Sequence, residues 1–211
     1  MADTKISALS AVSAVAAANE LAVNEAGTSK KASVTQLTTY LRTIGMPYVV
    51  ALASDAAENE TTSMVGITGL DVASVDAGTY VFEYYLRCWA ISDAAQSLKF
   101  AVSHSGTVDA FMCSLKWPSA GVSASTGAVD QDAPAITTGS VWAHQSTRTK
   151  GTTLGPQTGV DAAGGDVLYR ISGLMVISTT GTMTLTHGSE LTQANGTTVK
   201  KGSCLILTQV A

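Results

Sequence analysis

Tyr80-Val81-Phe82-Glu83-Tyr84-Tyr85-Leu86-Arg87-Cys88 alternates in polarity along its whole length. Tyr80, Phe82, Tyr84, Leu86 and Cys88 fall on one side of an extended chain and Val81, Glu83, Tyr85 and Arg87 on the other. A period of two predicts a long strand with one strongly apolar face. Outward from it, Leu98, Phe100 and Val102 alternate with Lys99, Ala101 and Ser103, and Val108 to Trp117 reads as a third strand. Asp166 to Ser178 gives a fourth, with Val167, Tyr169 and Ile171 opposite Leu168 and Arg170, and Met183 and Leu185 alternate with Thr182, Thr184 and Thr186. The run Cys204-Leu205-Ile206-Leu207-Thr208 is almost continuously apolar, which suits a strand covered on both faces. Asp76-Ala77-Gly78, Ser105-Gly106, Thr180-Gly181, Asn195-Gly196 and Lys201-Gly202 supply turns between these runs. Short strands punctuated in this way predict a mainly β chain built as an antiparallel sandwich or jelly roll.

Residues 1–45 read differently, and the chain divides into an N-terminal arm (1–45) and a β domain (46–211). Glu20-Leu21-Ala22-Val23-Asn24 alternates as a short strand, Glu25-Ala26-Gly27-Thr28 is a turn, and Thr28 to Ala32 is the return strand of a small hairpin. Ser33 followed by Gln36 forms a capping box: the hydroxyl accepts from an early amide and the Gln reaches back to the cap. Val34, Leu37 and Leu41 at helical spacing then predict about three turns of helix, ended by Gly45 and Pro47. One hairpin and one short helix bury too little area to fold alone, so the arm needs a partner surface.

The chain has 211 residues, 12 Lys+Arg against 16 Asp+Glu, and a formal net charge of -4. That balance speaks against a nucleic-acid binder, which normally shows a basic face. Charged residues make up 13%, about half of the usual roughly 25%, so part of the surface is expected to be buried against other subunits. No apolar run is long enough for a membrane span. Asp3, Thr4, Ser7, Ser10 and Ser13 interrupt the N-terminal Ala/Val stretch, against a signal peptide. Cys88, Cys113 and Cys204 are odd in number and lie in strand-like runs, so they are expected as unpaired thiols in a reducing compartment.

Little points to catalysis. His104, His144 and His187 have no second His or Cys at metal-ligand spacing. His104 and His187, beside Ser or Gly at strand ends, read as solvated turn histidines. No G-x-S-x-G elbow, P-loop or dinucleotide fingerprint occurs. Asp130 and Asp132, the closest carboxylate pair of interest for glycan hydrolysis, sit in an Ala/Gly-rich loop. Lys30-Lys31 and Lys200-Lys201 read as solvated turn or edge charges. Trp89 reads as a core or inter-subunit residue. Trp117 and Trp142 flank two long Ser/Thr/Ala/Gly loops, 118–139 and 147–165, and are the candidate ligand-stacking residues, with packing the ordinary alternative.

The string Lys5-Ile6-Ser7-Ala8-Leu9, then Asn19 through Ser33 (NELAVNEAGTSKKAS) and Gln36-Leu37, resembles the N-terminal module of many tailed-bacteriophage virion proteins, where it precedes quite different C-terminal domains. The remainder more loosely resembles trimeric jelly-roll phage domains, akin in outline to tumour necrosis factor-like trimers. It does so through Ala77-Gly78-Thr79-Tyr80-Val81-Phe82-Glu83, Leu98-Lys99-Phe100-Ala101, Tyr169-Arg170-Ile171-Ser172-Gly173 and Val199-Lys200-Lys201-Gly202-Ser203-Cys204-Leu205. Cys204 stands where such domains often carry an aromatic residue.

The resemblance implies a non-enzymatic virion structural protein, a capsid decoration (cement) protein or short head fibre, assembled in the bacterial host cytoplasm. Its partners would be the major capsid protein or another virion protein and two further copies of itself, with no cofactor, metal, nucleic acid or membrane. The arm would dock through Ile6, Leu9, Leu21, Val23, Leu37 and Leu41. The alternative is a tail fibre or receptor-binding protein that recognises a host glycan or protein through loops 118–139 and 147–165, with Trp117 and Trp142.

Overall fold

The computed structural model describes residues 19–89, 98–119, 141–155, 166–189, 192 and 196–210. The chain separates into two compact units, Met1–Met46 and Pro47–Ala211.

In the first unit, β1 (Glu20–Glu25) and β2 (Thr28–Ser33) pair antiparallel around a two-residue turn. Ala26 and Gly27 both take positive φ, 50° and 82°, as a type I′ hairpin turn requires. Helix α1 (Val34–Thr43) follows at once. Its start is the expected capping box: the Ser33 hydroxyl accepts from Gln36 N–H at 3.1 Å, and the Gln36 side-chain oxygen accepts from Ser33 N–H at 2.8 Å. Its end is a Schellman closure, with Gly45 N–H donating to Arg42 C=O and Met46 N–H to Leu41 C=O around Gly45 at φ 92°, a conformation that suits glycine.

The second unit is mainly β, with two antiparallel sheets around one core. The larger sheet runs β3 (Tyr48–Ala51), β13 (Cys204–Gln209), β6 (Gly78–Trp89), β10 (Asp166–Ile177), β8 (Val108–Ser119), β9 (Val141–Thr147), with β12 (Thr198–Val199) also on β6. In the smaller sheet, β11 (Gly181–Ser189) carries β7 (Leu98–His104) on one side and β4 (Val65–Gly66) and β5 (Val72–Val75) on the other. Side chains from both sheets share one cluster, in which Phe82, Tyr84, Ile171 and Leu205 meet Phe100, Met183 and Leu185. This is the arrangement of a β-sandwich.

The alternation of β6 decides the packing. Tyr80, Phe82, Tyr84, Leu86 and Cys88 are all buried, while Val81 and Arg87 are exposed. Tyr169, Ile171, Met175 and Ile177 on β10 and Phe111, Cys113, Leu115 and Trp117 on β8 extend this interior face. Gly173 interrupts it because the Phe82 ring and the Met112 carbonyl oxygen occupy the place of a Cβ there. The run in β13 is covered on one face only: Leu205 and Leu207 are buried, but Cys204 and Ile206 are half-exposed. None of the three cysteines forms a disulfide.

One end of the sandwich is closed by two turns packed together, β7–β8 and β10–β11. Thr107 N–H donates to Thr179 Oγ1 at 2.7 Å, Ser105 N–H to Thr182 C=O at 3.0 Å, and Ser178 N–H to Thr107 C=O at 3.1 Å. Gly106 and Gly181 make the approach possible, each standing where a Cβ would enter the backbone of the other turn.

Candidate functional site

Outside this core, the first unit carries the most conspicuous exposed apolar side chains. A hairpin and a ten-residue helix have little interior. Leu21, Val23, Leu37, Tyr40, Ile44 and Met46 are therefore exposed, by 40% to 61%. Leu21 and Val23 lie two apart on β1, hence on one side of the hairpin; their register partners are Ala32 and Lys30. Leu37 and Leu41 on α1 and Ile44 at its C-cap are spaced four and three apart, which sets them in one stripe. Leu41 is half-buried. The other side of the hairpin is polar, with Lys31 Nζ 2.8 Å from a Glu20 carboxylate oxygen. Of the six docking residues expected from sequence, Leu21, Val23, Leu37 and Leu41 are placed in this way, and Ile6 and Leu9 fall outside the described residues. Tyr40, Ile44 and Met46 add to this exposed set, and the helical spacing of Tyr40 and Ile44 is a signal the sequence carries.

The reading of Trp117 as a ligand-stacking residue at a loop entrance needs correction. Trp117 is 7% exposed and continues the inward series Phe111, Cys113, Leu115, so it is a core residue with no free face for a ligand. β8 runs through Pro118 to Ser119 instead of yielding to a loop at Pro118, because β9 pairs with it there: Trp117 with Ala143, Pro118 with Trp142, Ser119 with Val141. Trp142 therefore belongs to a strand and is not a cross-strand partner of Trp117. Residues 120–140, with Asp130 and Asp132, lie outside the described residues.

The second loop also departs from expectation over its first half. Residues 148–155 are fastened to the edge of β7. Phe100 and Leu154 exchange both backbone hydrogen bonds at 2.7 Å, and Gly151 N–H donates to Val102 C=O at 2.8 Å. Leu154 is buried, and Lys150 Nζ donates to the carbonyl oxygens of His104 (2.8 Å) and Gly106 (2.6 Å). The segment thus covers an edge strand that would otherwise offer unpaired backbone.

The histidines expected as solvated are interior. His104 and His187 are 2% and 1% exposed, because each continues its strand's inward alternation (Leu98, Phe100, Val102, His104; Met183, Leu185, His187). His104 Nδ1 accepts from Gly106 N–H at 3.1 Å. His187 Nδ1 is buried without a hydrogen-bond partner among the described residues, and burial pushes its pKa down to about 4. The ring is neutral at pH 7. Tyr84 Oη and Asp71 Oδ1 are likewise buried without partners among the described residues. Burial raises both pKa values, and the Asp71 charge adds to the shift at Tyr84.

Two polar clusters lie on the surface. Lys200 Nζ is 3.1 Å from Asp55 Oδ2 and 5.8 Å from the centre of the half-buried Trp89 ring, while Lys201 N–H donates to Asp55 at 2.7 Å. These two hydrogen bonds lower the Asp55 pKa. On the outer face of the larger sheet, Glu83 accepts from Tyr85 Oη at 2.7 Å and pairs with Arg170, whose guanidinium lies 5.4 Å from the Tyr85 ring centre. The first ion pair ties the segment after β3 to the β12–β13 turn, and the second links β6 to β10. Among the described residues no group of three or more His, Cys, Asp or Glu is placed to hold a metal ion. No helix among them is long and apolar enough to cross a membrane. Neither a protein-family model nor a curated protein matches the chain.

Proposed function

We propose that this chain is a structural protein of a tailed-bacteriophage virion, a capsid decoration protein or short head fibre, whose N-terminal unit docks on the shell while the β-sandwich projects as a homotrimer. The observation that carries the reading is the N-terminal unit itself. It has well-formed local structure, a capping box and a Schellman closure, yet it exposes Leu21, Val23, Leu37, Tyr40, Ile44 and Met46. Local signals hold it in shape and an external surface must supply its missing apolar cover. Its sequence is also the part that resembles virion docking modules. The mechanism is mechanical: each docked unit adds buried area between neighbouring shell subunits, and trimerisation multiplies weak contacts through effective concentration.

We take the sandwich to be of jelly-roll type. The chain passes repeatedly between the sheets, β6 and β8 in the larger with β7 between them in the smaller, and likewise β10 and β13 with β11. That supports the reading.

Deletion of residues 1–45 is the experiment. It should leave a folded sandwich that no longer joins particles. A truncated protein that still incorporates would refute the docking role.

The tail-located receptor-binding reading keeps one supporting observation. Ser119 and Val141, which flank residues 120–140, are paired, and Asp166, which follows residues 156–165, is paired with Trp89 at the same end of the larger sheet. Both flanks of residues 120–140 and the C-terminal flank of residues 156–165 therefore lie at the end opposite the closed turns, and recognition loops on a β scaffold are commonly carried at one end.

A further inference from the structure

On the outer face of the larger sheet, several apolar side chains are exposed or half-buried among the described residues. Val49, Val81 and Met112 are 65%, 40% and 54% exposed, and Leu174, Val176 and Ile206 are half-buried. Register joins them into one patch. Ile206 pairs with Val49, and Leu174 pairs with both Val81 and Met112. Ile206 lies diagonal to Val81, because its direct partner on β6 is Glu83. The smaller sheet turns a different surface outward, with half-buried Thr182, Thr184 and Thr186 on β11.

We propose that this face is the contact between copies of this chain, an inference that rests on the oligomeric reading above and assigns it a surface. Size supports it. Residues in a sheet are spaced about 3.4 Å along and about 4.8 Å across, so each tiles roughly 16 Å², and the six-strand face covers roughly 850 Å². A standard interface uses about 800 Å² per partner. The chemistry is also prepared for burial. The acid near the centre, Glu83, is already matched by Arg170 and Tyr85, so covering it strands no charge, while the exposed Lys116 and Arg87 fall toward the polar end, as a rim does. The β13 run has the composition of a strand covered on both faces, yet one chain covers only Leu205 and Leu207. A face that needs cover in every molecule needs a partner made in equal number, and a second copy meets that condition.

Sedimentation equilibrium of the full chain at micromolar concentration tests this. Wild type should sediment at a multiple of 21.6 kDa, three times that mass for the trimer. Met112→Glu and Val49→Glu, at exposed positions on non-adjacent strands, should each fall toward the single-chain mass with native near-ultraviolet circular dichroism. Val65→Glu, 46% exposed on the smaller sheet, should keep the wild-type mass. If Met112→Glu fails to fold, Val49→Glu decides. Cys204 should be protected from maleimide in wild type and labelled in the dissociated variants. Wild type at 21.6 kDa, or folded face variants with unchanged mass, would overturn the assignment. Monomers found on particles would defeat this contact and leave the virion reading standing; trimers absent from particles would do the reverse.

Discussion

Acidification from pH 7 to pH 4 should cost the sandwich about 3 kcal/mol through His187 alone. The ring sits on the inward face of β11, 1% exposed, with Nδ1 unpartnered among the described residues. Its pKa falls from 6.5 to about 4 because burial penalises the charged form. Between those two values the unfolded chain binds a proton that the folded chain refuses, so stability is highest above pH 6.5 and is lost as pH falls toward 4. A fall from 6.5 to about 4 corresponds to about 3.5 kcal/mol in full, of which roughly 3 kcal/mol is lost by pH 4, where the folded ring is half protonated. Other groups act in the same interval. Asp55 and Glu83, whose pKa values are lowered by their partners, add to the loss as they protonate, and Asp71, whose pKa is raised by burial, opposes it. The His187 share is therefore read as a difference between wild type and His187→Leu in urea titrations at pH 7 and pH 4. The variant removes an unpartnered polar atom, so it should be at least as stable at pH 7 and lose about 3 kcal/mol less than wild type on acidification. Equal losses in the two proteins would mean that the ring is protonated in the fold, and the reasoning would fail.

Three further outcomes are expected. Gly173→Ala should lower the denaturation midpoint by an amount equivalent to about 2 kcal/mol or more, since its Cβ would enter the Phe82 ring and the Met112 carbonyl; an unchanged midpoint would show that β10 relaxes freely. Tyr84→Phe should be neutral or stabilising by about 1 kcal/mol, because the hydroxyl is buried without a partner among the described residues; a loss above that size in urea would reveal a hydrogen bond to it. Cys88 and Cys113 should resist maleimide at pH 8 until the chain unfolds, as both are buried and burial pushes the Cys113 thiol up to about 12; intact-mass spectrometry counts the labels.

The parts of the fold legible in sequence are those with a local cause. The alternation in β6, β10 and β11 encodes a buried face directly. Ser33 and Gln36 sit three residues apart, so the start of α1 needed nothing from the rest of the chain. The strands β4, β5 and β12 have only two to four residues, and β11 and β6 create them by pairing across long sequence separations, which no local pattern records. At two places a turn signal masks a period. Pro118 suggested a loop and hid the fact that Trp117 ends an inward series, and Ser105-Gly106 and Gly188 made His104 and His187 look solvated although both keep their strands' parity. The first unit was legible as a segment lacking a core, since Leu21, Val23, Leu37 and Leu41 have too few partners within 1–45 to be buried there. Under the proposed docking role, what covers those side chains is a property of the partner, and the chain encodes only its own half.

Copy number bears most directly on the proposed role: quantitative mass spectrometry of purified phage particles carrying this chain, measured against the major capsid protein. A decoration protein predicts a ratio near one to one, or one trimer per local threefold of the shell. Absence from the particle, or only a few to a few dozen copies, would contradict it, the latter moving the protein to the tail or the vertices.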